Sequence, residues 1–293
     1  MSRPNDDHER SDGRSDGFAD GDGDDGGHEG GFHHDLPRMI PRRWALLGLA
    51  GIGGLAAAGG LTALTPGRAA AADGTGCVAD PPETAGPFPG DGTNSKSGRI
   101  VNVLAESGVV RRDLRPSFAG MTPVAEGLEL TMKLRLVNAR DGCRPLPGRA
   151  LYIWHCDAPG RYSIYNDPDR NYLRGVGVAD ADGVVRFTTI FPGCYRGRWP
   201  HFHFEAFSSL DAIATGRDSF LTSQLALPQA ECAAVYAADA RYEGGTRALS
   251  RLSLGRDVVF ADSTPAEMNQ RTLSLSGSPR TGFAGRAVIG LLV

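Results

Sequence analysis

Residues 128–138 read LELTMKLRLVN, and their side chains alternate without a break. Leu128, Leu130, Met132, Leu134 and Leu136 fall on one parity, and Glu129, Thr131, Lys133 and Arg135 on the other. A strand sends successive side chains to opposite faces, so this pattern gives it one apolar and one polar side. Apolar runs of strand length recur at RALYIWHC (149–156), GVVRFTTI (183–190) and PHFHFEAF (200–207), each bounded by Gly, Pro or Asp. Alternation returns at RTLSLS (271–276) and RAVIGLLV (286–293). Between the first two runs, ARDGCRPLPG has the Asp-Gly and prolines of a loop. Many short strands and no long amphipathic helix predict an all-β chain: a β-sandwich of mostly antiparallel strands, with long loops and little helix. One short helix is expected over 229–238.

The first quarter of the chain has a different composition. From Asp6 to Asp35 it is mostly Asp, Gly, Ser and His, with too few apolar side chains to offset the entropy of ordering. Arg42 and Arg43 then precede an uncharged run from Trp44 to Gly67, and Ala69–Ala72 supply small residues suited to cleavage. This divides the chain into a disordered Gly/Asp-rich leader with twin arginines (1–43), a signal hydrophobic region (44–72) and one folded domain (73–293). The paired arginines resemble a twin-arginine export signal, which predicts an exported protein with no stable membrane association after cleavage. The alternative is an uncleaved anchor, since about 20 apolar residues can span a bilayer.

Removing the leader takes away 7 of 31 Lys/Arg and 11 of 34 Asp/Glu, leaving 24 against 23. A near-neutral domain without basic clusters argues against nucleic-acid binding. All five cysteines (77, 143, 156, 194 and 232) lie in the exported part, where disulfides persist. Five is odd, so at least one is free or pairs between chains. Cys143 and Cys156, the closest pair to flank a strand, are expected not to bond to each other. The strand between them would hold their Cα atoms beyond the roughly 7 Å a disulfide allows.

Of the seven histidines, His8, His28, His33 and His34 lie in the leader, leaving His155, His201 and His203. In YRGRWPHFHF, His201 and His203 share one face of a strand while Phe202 and Phe204 point the other way. Two imidazoles on one face suit a transition metal, or else lie half exposed on a polar sheet face. Tyrosines are candidates to complete a metal site: Tyr162 follows Gly160 and Arg161, and Tyr195 sits in the loop before the histidines. Either alone could equally be a buried ring with a hydrogen-bonded hydroxyl.

Taken in order, WHCDAPGRYS followed by FTTIFPGCYRGRWPHFHF resembles the intradiol ring-cleavage dioxygenases, the family of catechol 1,2- and protocatechuate 3,4-dioxygenase. The likeness runs from CVADPPETAGPF, at Cys77, almost to the C-terminus, and is nearest the exported branch. It implies a non-haem Fe(III) held by Tyr162, Tyr195, His201 and His203. Tyr195 matches the axial tyrosine that leaves when substrate chelates, with His203 opposite it and Tyr162 and His201 equatorial. Arg198 matches the family's active-site arginine, and Gln224, in LTSQL, a glutamine lining the substrate pocket. The implied substrates are a catechol and O2, with cleavage between the two hydroxyl-bearing carbons to a muconate-type dicarboxylic acid. His155 and Asp157 are expected in the core or behind the ligands. Two features depart from the pattern: Cys194 replaces a Pro or Trp before Tyr195, and no aromatic follows Gln224. The competing reading is a non-catalytic β-sandwich binding module that kept the fold; such a module should have lost one of these six residues, and all are present. A zinc or copper protein is disfavoured, because two tyrosinates are unusual ligands for those ions.

Overall fold

The computed structural model describes residues 76–195 and 197–293. The expected leader, its twin arginines and its hydrophobic run lie outside the described residues. Among the described residues no helix is long and apolar enough to cross a membrane. The described residues form eleven strands in chain order: β1 (Asp91–Lys96), β2 (Arg99–Asn102), β3 (Glu129–Asn138), β4 (Arg144–Pro145), β5 (Ala150–Trp154), β6 (Arg174–Val178), β7 (Val184–Ile190), β8 (His201–Phe207), β9 (Leu221–Ala226), β10 (Ser274–Ser278) and β11 (Gly282–Leu291). Among the described residues three α-helices accompany them: α1 (Gln229–Ala238), α2 (Gly245–Leu249) and α3 (Pro265–Arg271).

β3 behaves as its alternation requires. Leu130, Met132, Leu134 and Leu136 are fully buried, while Glu129, Lys133 and Arg135 face solvent. It anchors a five-stranded sheet, with β7 and β4 antiparallel on one edge and β11 on the other, followed by β10. β11 runs parallel to β3, from Phe283 beside Leu130 to Leu291 beside Asn138. A second sheet has the order β6-β5-β8-β9, all antiparallel. The leucines of β3 share one core with Leu151 and Ile153 of β5 and Phe202 and Phe204 of β8. The two sheets are therefore layers of one sandwich with their apolar faces together.

The second sheet is apolar on its outer face too. Tyr152 and Trp154 of β5 and Phe207 of β8 form a separate cluster with Tyr162, under Ala85 and Phe88 of the N-terminal segment. Tyr152 Oη donates to Pro89 O at 2.7 Å, tying that segment down. A strand buried on both sides reads as continuous apolar sequence, as ALYIW does.

Element boundaries differ from the sequence expectation in three places. The RALYIWHC strand ends at Trp154, so His155 and Cys156 lie beyond it. RAVIGLLV begins its strand four residues early, at Gly282. Arg271 of RTLSLS instead ends α3, which a Thr264–Glu267 capping box and Pro265 in its first turn start. α1 lies where the helix was expected.

Candidate metal centre

β8 lies between β5 and β9, and the register sets Trp154, His203 and Gln224 in one row across the outer face of the sheet. His201 precedes His203 by one pleat on that face. The two tyrosines arrive from loops at the same end of the sheet. Tyr162 lies in the loop after β5, where its N–H donates to Asn166 Oδ1 at 2.7 Å and its ring packs on Phe88 at 4.9 Å. Tyr195 lies in the loop before β8. Gly193 joins the two loops: its N–H donates to Asp157 O at 3.0 Å, and a Cβ there would stand 2.2 Å from Ala158 O. Only glycine permits that approach.

The four polar ends converge. Tyr162 Oη is 3.2 Å from His203 Nε2 and 3.4 Å from Tyr195 Oη. Tyr195 Oη is 3.2 Å from His201 Nε2, and the two histidine Nε2 atoms are 2.9 Å apart. Tyr162, His201 and His203 are buried, and Tyr195 is partly so. His201 Nδ1 lies 2.5 Å from Trp199 O, which can only accept, so the proton sits on Nδ1 and the Nε2 lone pair faces the cluster. His203 stacks on Trp154, rings 4.8 Å apart and 7° from parallel. The histidines are thus not the half-exposed pair of a polar sheet face.

The donor set fits a metal ion. Adjacent N and O donors on one first-row ion stand about 3 Å apart, as these four do. Burial, with Arg198 adding to it, holds His201 down to about 3. Burial, and then the cost of placing a second positive charge beside His201, hold His203 well below its ordinary value. Both imidazoles are therefore neutral, as a ligand must be. Burial also pushes the Tyr162 phenol well up and Tyr195 up to about 12. A highly charged cation held by Tyr162, Tyr195, His201 and His203 would invert that preference and favour the phenolates. Among the described residues no three His, Cys, Asp or Glu side chains are grouped to hold a metal; the convergent set is two histidines and two tyrosines.

Arg198 and Gln224 stand beside this cluster. Arg198 Nη2 donates to Gln224 Oε1 at 2.7 Å, and Gln224 Nε2 donates to Thr84 O at 2.9 Å. Sequence reasoning missed Asp257. It accepts from Arg198 Nε at 3.0 Å and Nη2 at 3.2 Å, from Trp199 N at 2.7 Å and from Val259 N at 2.9 Å. Burial opposes its charge, but Arg198 and the Trp199 N–H together hold the carboxyl below its ordinary value. An aspartate 59 residues from its arginine leaves no local signal. His155 is outside the set: it bonds Cys156 O and Thr189 Oγ1 and packs on Phe202 in the intersheet core. Asp157, buried, accepts from Arg161 N at 2.7 Å, one residue before Tyr162.

Residues 108–210 match the Dioxygenase_C family, described as dioxygenase. That span holds Tyr162, Tyr195, Arg198, His201 and His203. A 53-residue stretch is 36% identical to a catechol 1,2-dioxygenase of Pseudomonas sp. (strain EST1001), covering 18% of this chain and 18% of that protein. An intradiol ring-cleavage dioxygenase from Tetranychus urticae is similar in structure, with a TM-score of 0.51 at 21% identity over 73% of this chain and 94% of that one. A second dioxygenase crystal structure aligns with a TM-score of 0.52 at the same identity and coverage. These two show the same fold. The family match over 108–210, the 53-residue relative and the shared fold each make the chain similar to the intradiol ring-cleavage dioxygenases.

Proposed function

We propose that the chain is an exported non-haem Fe(III) dioxygenase that cleaves catechols between their two hydroxyl-bearing carbons. The observation that carries this reading is the convergence of Tyr162, Tyr195, His201 and His203, with neighbouring polar atoms 2.9–3.4 Å apart. Two phenolates and two neutral imidazoles are a hard, anionic donor set suited to a ferric ion. The ion, when bound, supplies Lewis acidity that favours the doubly deprotonated catechol and draws electron density from its ring.

The chain's own residues do the rest. Tyr162 is fully buried and braced by Phe88, whereas Tyr195 is partly exposed, so Tyr195 is the phenol free to give way to a catechol oxygen and carry off a proton. Arg198 places a fixed guanidinium beside the cluster, suited to stabilise negative charge on the ring carbon. In the overall change one catechol and one O2 become one muconate-type diacid. The carbon–carbon bond breaks, both oxygen atoms enter the product, the ring is oxidised and O2 is reduced, with no further co-reactant. Export is supported by the Cys77–Cys143 disulfide, a bond that persists in oxidising compartments.

The test is oxygen uptake by iron-loaded protein over a panel of substituted catechols, with the product identified by mass. One O2 consumed per diacid formed supports the reading. Metal-loaded protein that binds catechols without consuming O2 overturns it and favours the binding module.

A further inference from the structure

Arg198 is buried and three of its five N–H bonds are committed. Nε and one Nη2 hydrogen go to the two oxygens of Asp257, and the other Nη2 hydrogen goes to Gln224. Nη1 makes no hydrogen bond to protein among the described residues, so its two N–H groups are the free edge of the guanidinium. Asp257 is itself fixed. Its Oδ1 also accepts from the backbone of Val259 at 2.9 Å and Phe260 at 3.3 Å, which turns the carboxylate plane toward Arg198. The same carboxylate reaches the metal ligands by a second route. Its Oδ2 accepts from Trp199 N at 2.7 Å, and the carbonyl of Trp199 accepts from His201 Nδ1 at 2.5 Å. One carboxylate therefore fixes both ends of the Arg198–His201 turn.

We propose that Asp257 is a positioning residue, which holds Arg198 with only its Nη1 edge free for the reacting ring and, through the Trp199 peptide, sets the orientation of His201. This rests on the function proposed above. The bidentate contact does what a single acceptor could not: it fixes the guanidinium plane as well as its position. Gln224, with one bond to Nη2, fills the remaining hydrogen of that nitrogen and does not set the plane.

Asp257→Asn keeps shape and removes the charge-assisted fork. The expected result is near-normal iron content with kcat lower by about 10–100-fold, the range for residues standing behind a metal site, and a smaller change in KM. Asp257→Glu, which retains the carboxylate, should lie between wild type and Asp257→Asn. In Arg198→Lys protein, adding Asp257→Asn should cost little more, since the two changes break one interaction. A readout independent of turnover is the Arg198 Nε–H resonance in nitrogen-15 spectra, assigned by its loss in Arg198→Lys. It should exchange slowly with solvent in wild type and become fast or broadened in Asp257→Asn.

An Asp257→Asn enzyme with kcat within about twofold of wild type, or losses that simply multiply in the double variant, would overturn the proposal. So would an Arg198 Nε–H that exchanges rapidly in wild type. If wild-type protein turns over no catechol, the function proposed above fails, and the exchange measurement still decides whether Asp257 holds the guanidinium.

Discussion

The Nε2 atoms of His201 and His203 stand 2.9 Å apart on one face of β8, both on neutral rings. Two neutral imidazoles packed this closely, with two phenols completing the cluster, are matched best by a shared cation. Protein from iron-replete expression is expected to hold about one ferric ion per chain and to be reddish from tyrosinate-to-iron charge transfer. Tyr162→Phe and His203→Ala should each lower the iron content. Metal analysis beside a visible spectrum checks this, and a colourless protein carrying stoichiometric zinc would refute it.

The proposed function gives Arg198 a different task from the four candidate ligands, and its loss should show differently. Arg198→Lys and Arg198→Ala should keep iron and colour but lose about 10²–10³ in kcat, the effect of removing one preorganised charge-stabilising group. Lysine keeps the charge and loses the fork, so it separates guanidinium geometry from charge. The alanine variant leaves Asp257 buried and unpaired, which costs about 3–5 kcal/mol of stability, so thermal unfolding should accompany the kinetics. An iron-loaded Arg198→Lys enzyme with normal turnover would remove Arg198 from its assigned role.

The approach of the two tyrosine loops depends on Gly193. An alanine Cβ there would lie 2.2 Å from Ala158 O and 2.6 Å from Asp157 O, both backbone atoms that cannot simply rotate away. Gly193→Ala should therefore destabilise the fold by about 1–3 kcal/mol, the usual range for forced overpacking. It should also reduce iron content by parting Tyr195 from Tyr162. Urea unfolding and metal analysis on one preparation test both effects; unchanged values would mean that the loops tolerate separation.

What was legible in the sequence follows from how local each signal is. β3 announced itself because its alternation is complete within eleven residues, and the His-x-His face because β8 has a period of two. The four candidate ligands came from the family resemblance that their order along the chain carries, and the structure brings the four side chains together. Asp257 was invisible, since its pairing with Arg198 depends on how the segment after α2 returns to the second sheet. The parallel pairing of β11 with β3 had no signature either: both strands alternate, and alternation does not encode direction. α3 was missed although Thr264, Pro265 and Glu267 spell a capping box, because the serine–leucine alternation after it drew the reading toward a strand.

The cysteines give a prediction that needs no substrate. Cys143 pairs with Cys77 across a Cα–Cα distance of 5.8 Å, and not with Cys156, as the strand between them required. Cys156, Cys194 and Cys232 are buried thiols. Without reductant, a thiol reagent should find none of them reactive in folded protein and three per chain after unfolding. The disulfide closes a loop with a sequence separation of 66 residues, for which chain entropy gives about 4 kcal/mol. Cys77→Ser with Cys143→Ser should lower stability by up to that amount. Five reactive thiols in the unfolded, unreduced chain would show that the bond does not form.

The last prediction concerns Asp80, which is not one of the four convergent side chains. Its carboxyl is buried, with Oδ2 accepting from Gly290 N at 2.7 Å and Gln270 Nε2 at 2.9 Å, while Oδ1 has no hydrogen-bond partner. Burial raises the carboxyl to about 6, against the pull of the Gly290 N–H and of Arg271. The unfolded chain titrates near 3.9, so between about pH 4 and 6 the folded state holds the proton that the unfolded state has lost. Stability from this group is present below pH 4 and is lost as pH rises through about 6. At about 1.4 kcal/mol per unit the loss is at most about 3 kcal/mol. Both hydrogen bonds fall on the same oxygen, so the amide oxygen of Asp80→Asn can accept both, without a charge to bury. The variant should match wild type near pH 4 and exceed it in stability at pH 7. Urea unfolding across that range measures the difference directly. A gap between the two proteins that stays constant from pH 4 to 7 would mean that Asp80 is ionised in the fold throughout, with a counter-charge outweighing its burial.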